Sequence, residues 1–169
     1  MSWVIKGSKP YIDLEDTDTA KKVRVQNDAG AVKIVDPSTG NALMSWKATL
    51  AQIEKKTGLA ADSTGVKASS PRAKLNATLL KKLIVRATIS SIPSDATVRV
   101  EVYDVTKGSV LGYVEFAGAT GTDQETEITS GWDDGDLVEI RVNVTTASGT
   151  SGATFDLDYA ILEAEYNTA

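Results

Sequence analysis

From Leu79 to the end of the chain, apolar and polar residues alternate in short runs separated by turn-forming residues. Val98, Val100 and Val102 alternate with charged residues, and residues 136–146 continue the pattern. A period of two residues is typical of β-strands with one buried and one solvated face. We predict six strands, at residues 79–90, 96–105, 109–117, 124–129, 136–146 and 153–166. Strands joined by Gly-rich turns in this way predict an antiparallel β-sandwich with a jelly-roll-like outline.

The last of these predicted strands contains a change in alternation. Asp156 and Asp158 share one parity, whereas Glu163 and Glu165 have the other. A β-bulge near Ala160 would account for the change and would redirect the end of the chain.

The first forty residues predict short strands rather than a core. Residues 22–26 alternate, residues 31–35 are rich in Val and Ile, and the turn-forming residues 27–30 lie between them. This arrangement predicts a hairpin, preceded by a further strand at residues 11–14. Two or three short strands cannot bury a core alone, so we expect this region to have a packing partner.

One short helix is predicted, over residues 42–57 and ending before Gly58. Its apolar residues recur at spacings of three, four and three, the a/d pattern of a coiled-coil seam. They are Leu43, Trp46, Leu50 and Ile53. The helix could cover the N-terminal strands of its own chain, or it could pack against other copies. In the second case these four residues form the oligomer interface. Leu50→Asp or Ile53→Asp should then disrupt assembly more than Val142→Asp does, while the sandwich stays folded.

The sequence predicts three regions along the chain. Residues 1–58 form an N-terminal assembly or attachment region, and residues 79–169 form the sandwich head. Residues 59–78 have too little apolar content for a compact domain, so we predict a linker or an arm laid over a neighbouring molecule.

Charge differs between the two halves of the chain. Residues 1–78 contain 12 Lys and Arg against 8 Asp and Glu, a net charge of +4, whereas residues 79–169 contain 6 against 15, a net charge of −9. Solvated surface explains this difference, and so would docking of the basic half on an acidic partner. No basic cluster has interleaved aromatic residues, so we expect no nucleic-acid partner.

The composition excludes several classes of chemistry. The chain has no Cys and no His, so disulfides, thiolate zinc sites and His-dependent nucleophiles are excluded. No active-site pattern remains, and we expect a protein without enzymatic activity or cofactor. No apolar run approaches the roughly 18 residues of a membrane helix, so we expect no membrane insertion.

An acidic turn is the candidate metal site. Asp133, Asp134 and Asp136 could supply oxygen ligands to calcium. The same residues around Gly135 are also typical of a turn, in which Asp side chains accept backbone hydrogen bonds. We favour the structural turn over the calcium site.

Four aromatic residues could form a sugar-binding platform. They are Tyr103, Tyr113, Trp132 and Tyr159. Alternation instead places Tyr159 with Phe155 and Leu157, so we predict that it lies in the core.

The N-terminal organisation resembles a known class of viral proteins. Residues 10–14, 32–36 and 40–43, followed by a short a/d helix, resemble the N-terminal modules of bacteriophage and archaeal-virus fibre and capsid decoration proteins. The resemblance covers residues 10–56 in detail and the remainder only in layout.

The resemblance implies a non-enzymatic virion structural protein. Such proteins are homo-oligomers, often trimers, that attach to a capsid or tail protein and display a β-sandwich, which either cements capsomers or binds a host-surface glycan. Their location is the virion, after synthesis in the host cytoplasm. The alternative is a carbohydrate-binding β-sandwich module, with calcium as a possible aid.

Overall fold

A computed structural model of the chain describes residues 11–15, 22–28, 31–35, 45–77, 80–118 and 123–167. All regular secondary structure in these ranges is β-strand. The chain divides into two compact units, one of residues 1–47 with 166–169 and one of residues 48–165.

The first unit contains a three-stranded antiparallel sheet. Its strands are β1 (Tyr11–Glu15), β2 (Lys22–Asp28) and β3 (Ala31–Val35), with β2 in the centre. Pairing of β2 with β3 confirms the predicted hairpin.

The strand register divides this sheet into two faces. Val25 lies between Ile12 and Ile34, and Val23 lies opposite Leu14. Val32 belongs to the same face, which thus holds six apolar residues and Asn27. Residues of opposite charge oppose each other on the second face, as in the pairs Asp13 with Arg24 and Glu15 with Lys22. By its register the sheet is therefore amphipathic, with apolar residues on one face and mainly charged and polar residues on the other.

Two further sheets form an antiparallel β-sandwich, which confirms the predicted fold class. The strands are β4 (Ser45–Ile53), β5 (Lys56–Ala60), β6 (Gly65–Ser69), β7 (Ala73–Lys74), β8 (Leu80–Ser90), β9 (Thr97–Asp104), β10 (Ser109–Ala117), β11 (Gln124–Ile128), β12 (Leu137–Thr146) and β13 (Thr154–Asn167). One sheet, called the β9 sheet, has the order β10-β9-β12-β6, with β7 also paired to β12. The other, called the β8 sheet, has the order β11-β8-β13-β4, with β5 also paired to β13.

The strand order is that of a jelly roll. Apart from β5 and β7, the first strand of the sandwich pairs with the last, the second with the second last, and so on inward: β4 with β13, β6 with β12, β8 with β11, and β9 with β10. A long hairpin rolled into two sheets gives this nested pairing, with an edge strand at both sides of each sheet.

The core lies between the two sheets. The predicted valines of β9 and the alternate residues Val138, Ile140, Val142 and Val144 of β12 are buried. From the β8 sheet, Leu83, Val85, Ala87 and Ile89 are buried with Phe155, Leu157 and Leu162. In β13 the buried parity changes between Leu157 and Ala160, as the alternation of polar residues predicted.

The predicted helix at residues 42–57 is wrong over the described residues, because 45–53 and 56–60 are strands. In a strand, residues at spacings of three, four and three do not all belong to one face. Trp46 and Leu50 have the same parity, whereas Ile53 has the opposite parity and is 4% exposed within the sandwich. Leu43 lies outside the described residues. Helix propensity is a weak preference that the pairing of β4 with β13 overrides.

The predicted linker at residues 59–78 is also corrected. This stretch contributes the end of β5, together with β6 and β7, and the last two pair with β12. Leu75 is buried, and its backbone N–H donates to the carbonyl of Asp136 at 2.8 Å. Low apolar content misled the prediction because an edge strand buries few side chains.

Gly118 follows β10 at a position that excludes a side chain. Its φ is +58°, and a Cβ there would lie 2.5 Å from the carbonyl oxygen of Ser94. Gly118→Ala should therefore lower the free energy of unfolding by about 2 kcal/mol, from steric strain and positive φ together. Urea denaturation measures the change. Gly152→Ala is the matched control, because φ there is +75° with no atom within 4 Å. Equal losses in the two variants would contradict the steric argument.

Candidate functional site

The outer face of the β9 sheet is the most distinctive surface of the sandwich. The register places Val110, Tyr103 and Glu139 in one row across β10, β9 and β12. Tyr113, Glu101 and Arg141 form the next row, followed by Glu115, Arg99 and Asn143. These residues alternate with the buried valines, which is why they lie on the outer face.

Two tyrosine rings on this face are stacked against arginines. The Arg141 Cζ lies 3.3 Å from the centroid of the Tyr103 ring. The Arg99 Cζ lies 4.1 Å from the centroid of the Tyr113 ring. A guanidinium over an aromatic face is attracted by the negative charge of the ring face, and the stacking fixes both side chains.

Carboxylates complete the network on this face. Glu139 accepts hydrogen bonds from Arg141 Nε at 2.7 Å and from Arg72 Nε at 3.2 Å. Burial opposes ionisation of Glu139, yet these two guanidinium groups hold the pKa of its carboxyl below the ordinary value. Glu101 accepts a hydrogen bond from the Asn143 side chain at 3.0 Å. Most charges on the face are therefore paired, and Lys74, opposite Leu137 in the register, adds one positive charge.

Exposed apolar side chains are concentrated on the same face. Among residues 47–77, 80–118 and 123–166, the large exposed hydrophobic residues are Val66, Val110, Tyr113 and Leu137. Val66 opposes Asn143, and Leu137 has the outward parity of Glu139. All four therefore belong to the outer face of the β9 sheet.

The outer face of the β8 sheet is ionic instead. Arg86 pairs with Glu125 and, at 3.3 Å, with Glu163. Lys81 donates to Glu165 at 2.8 Å, which holds the pKa of that carboxyl below its ordinary value. The network comprises Lys81, Lys82, Arg86, Asp123, Glu125, Glu127, Glu163 and Glu165, with a net charge of −2.

The candidate calcium ligands hold a cation of the chain itself. Lys107 Nζ lies 2.9 Å from both Asp133 Oδ2 and Asp136 Oδ2 and donates to the carbonyl of Gly131 at 3.0 Å. Asp134 accepts a hydrogen bond from the backbone N–H of Ala77 at 3.0 Å. Among the described residues, no group of three or more acidic, Cys or His side chains is placed to hold a metal. The Lys107 ammonium therefore places a positive charge between Asp133 and Asp136.

The Lys107 cluster should make stability depend on pH. The backbone N–H of Asp133 and the Lys107 ammonium hold the pKa of Asp136 below its ordinary value. Hydrogen bonds to Asp133 and Asp136 raise the pKa of Lys107. The contribution of Asp136 is therefore present above pH about 4 and is lost as pH falls through its folded-state pKa. The contribution of Lys107 is present below pH about 10 and is lost as pH rises through its own folded-state pKa.

We expect Lys107→Met to lower the stability of the sandwich at pH 7. Most of this loss of stability should disappear in acid, because protonated carboxyls no longer need a cation. Thermal unfolding of both proteins from neutral to acid pH measures the difference. Lys56→Met, at an exposed lysine, is the control. A deficit of Lys107→Met that stays constant into acid would contradict this role.

The predicted aromatic platform is not assembled as one surface. Tyr103 and Tyr113 share the outer face of the β9 sheet. Trp132 is half-buried in the segment that connects β11 to β12 along the chain. The core position predicted for Tyr159 is wrong, because its hydroxyl donates to Asp123 in the network on the β8 sheet. The parity change in β13 moves Tyr159 outward. Prediction missed Arg99 and Arg141, although their alternation with buried valines could have identified them.

Comparison with known proteins gives distant likenesses in fold. No protein-family model and no curated protein sequence matches the chain. The structure is similar to the C-terminal CBM6 of the laminarinase LamC from Zobellia galactanivorans, with a TM-score of 0.38, 7% identity, and coverage of 70% of this chain and 98% of that chain. A carbohydrate-binding module from Cellvibrio mixtus lichenase 5A gives a TM-score of 0.34, 12% identity, and coverage of 68% and 95%.

A viral capsid protein is similar at the same distant level. VP2 of an infectious bursal disease virus subviral particle gives a TM-score of 0.41 and 13% identity, covering 94% of this chain and 42% of that chain. Identities and TM-scores this low describe a resemblance of fold and carry no functional inference. Within the described ranges, no helix is long and apolar enough to cross a lipid bilayer.

Proposed function

We propose that the chain is a non-enzymatic virion structural protein, a fibre or capsid decoration subunit. Its N-terminal region joins copies of the chain and attaches them to a capsid or tail protein, and its jelly-roll sandwich is displayed. The assembly is a homotrimer, the state typical of the proteins that the sequence resembles. Three copies bring three sandwiches to one attachment point.

The amphipathic sheet β1–β3 carries this proposal. Its register gathers six apolar residues on one face, with Val25 at the centre between Ile12 and Ile34. Strands of five and seven residues enclose no core by themselves. The apolar faces of sister chains can cover each other and form a shared core, as in a homo-oligomer interface.

The sandwich suits a displayed role. Its inner faces bury their apolar residues between its own two sheets. Residues 48–165, the unit that contains the sandwich, carry 11 Lys and Arg against 17 Asp and Glu, a net charge of −6, which keeps displayed heads of neighbouring particles apart in solution. The charge and the closed core together support a stable, soluble head on an attached base.

The second candidate is a carbohydrate-binding sandwich, and Tyr113 is the observation in its favour. This ring is 40% exposed and diagonal to Tyr103 on the outer face of the β9 sheet. Flat aromatic surfaces with polar neighbours suit sugar rings. The arginines stacked on both rings count against this candidate, because a sugar would have to displace them.

Two measurements test the proposed function. Antibodies against the chain should label intact virus particles of the genome that encodes it, and failure to label them would contradict a virion location. A glycan array probed with the full chain should be silent, whereas specific binding would favour the second candidate. The full chain is needed because β4, β5, β6 and β7 precede residue 79 and complete both sheets.

A further inference from the structure

We propose that ionic strength regulates the self-assembly of this chain: the negative charge of the sandwich opposes the association of copies, and dissolved salt removes that opposition. This inference rests on the proposed self-assembly through the sheet β1–β3, to which it adds a regulation. The equilibrium between single chains and oligomer should therefore move toward the oligomer as salt is added.

Charge is divided unequally between the two compact units. The first unit, residues 1–47 with 166–169, contains 7 Lys and Arg against 6 Asp and Glu, a net charge of +1. The second unit, residues 48–165, contains 11 against 17, a net charge of −6. The excess of negative charge in the chain therefore belongs to the unit that contains the sandwich.

The face that joins copies in the proposed assembly is uncharged among the described residues of β1–β3. By the strand register it holds six apolar residues and Asn27. On the other face Asp13 opposes Arg24 and Glu15 opposes Lys22, so these charges compensate each other within one sheet. Association through the apolar face therefore depends on the burial of apolar surface, which salt does not screen.

Part of the excess charge lies at the surface of the sandwich. The ionic network on the outer face of the β8 sheet has a net charge of −2, and its residues Glu125 and Glu127 are exposed. Surface charge of one sign is repelled by the same charge on a neighbouring copy. Assembly brings these acidic units near each other, so each added copy meets this repulsion.

The size of the repulsion depends on distance and on screening. A folded unit of about 120 residues has a radius of about 17 Å, so two such units in contact have centres about 35 Å apart. In about 10 mM salt the Debye length is about 30 Å, and two charges of −6 at this distance should weaken association about tenfold for each pair. In about 150 mM salt the Debye length is about 8 Å, and most of the repulsion disappears.

Sedimentation equilibrium of the full chain at neutral pH, in about 10 mM and about 150 mM NaCl, tests this inference. A trimer has three pairs of sandwiches. The protein concentration at which half of the chains are assembled should therefore be about thirtyfold lower at the higher salt concentration. An assembly held by ion pairs would show the opposite change, because salt screens attraction as well as repulsion.

A variant with an uncharged sandwich unit identifies the source of the salt dependence. Six substitutions by Lys at exposed Ser and Thr residues change the net charge of residues 48–165 from −6 to zero. They are Thr57→Lys, Ser69→Lys, Thr129→Lys, Ser130→Lys, Thr146→Lys and Ser151→Lys. Gln at the same six positions is the matched control, because it adds bulk without charge. The Lys variant should assemble equally well at both salt concentrations, whereas the Gln variant should keep the salt dependence of the original chain.

The outcomes separate this inference from the proposed function. Assembly of the original chain that is unchanged or weaker at the higher salt concentration overturns the regulation and leaves assembly through the sheet β1–β3 standing. Single chains at every salt concentration overturn both. Salt dependence that persists in the Lys variant overturns the role of the sandwich charge, because that unit then has no net charge to screen.

Discussion

Val25→Asp should convert the proposed oligomer into monomers of 17.9 kDa whose sandwich still unfolds cooperatively. Val25 lies at the centre of the apolar face, between Ile12 and Ile34 in the register. A carboxylate on an apolar face that copies share costs several kcal/mol for each chain, since a buried charge without a partner loses its hydration. Sedimentation equilibrium measures the mass, and thermal unfolding measures the state of the sandwich.

Gln26→Asp is the matched control for this prediction. Gln26 is the next residue of β2 and lies on the charged face, between Tyr11 and Lys33. Gln26→Asp introduces the same side chain on the opposite face of the sheet, so the oligomer should remain assembled. Dissociation in both variants, or in neither, would contradict assembly through the apolar face.

Ile53→Asp should unfold the sandwich. Ile53 is 4% exposed and belongs to the buried set of β4 with Ala51. An unpaired carboxylate there should lower the free energy of unfolding by on the order of 4 kcal/mol, comparable with the whole stability of a small domain. This reverses the expectation drawn from the predicted helix, in which the substitution affects assembly alone. Circular dichroism during urea denaturation measures the loss.

The neighbouring residue provides the control. Gln52 is exposed on the opposite face of β4, so Gln52→Asp should leave the denaturation midpoint nearly unchanged. Consecutive side chains of a strand point to opposite faces of the sheet, so of these two residues only Ile53 reaches the core. Similar effects of the two substitutions would contradict the strand.

Regular alternation made the head predictable from its sequence. The predicted strand at 109–117 coincides with β10, and the predicted strand at 96–105 differs from β9 by one residue at each end. Alternating valines leave a single choice of buried face, because a shift by one residue would bury charged side chains.

The two edge strands that come first in the sandwich, β4 and β6, were hidden from prediction for a physical reason. β4 and β6 lie at the edges of their sheets and gain stability from the partner strands β13 and β12, which come much later in the chain. The local spacing of apolar residues indicates a preference for helix, but it does not indicate that the segment pairs with a distant strand. Residues 42–78 consequently resembled a helix followed by a linker.

The sequence predicts which residues of the candidate surface face outward, but it does not predict which of them are neighbours. Alternation identifies Tyr103, Arg99 and Arg141 as outward-facing, yet only strand order brings β9 between β10 and β12. The Lys107 ammonium likewise reaches Asp133 and Asp136 across two separate turns. Sequence spacing could therefore group the carboxylates without showing the lysine that lies between two of them.

Light scattering of the full-length chain at micromolar concentration tests the central claim most directly. Assembly through the sheet β1–β3 predicts a mass that is a whole multiple of 17.9 kDa, three times that value for the proposed trimer. A single species of 17.9 kDa that persists as concentration rises would show that the apolar face is satisfied within one chain, and it would contradict the account.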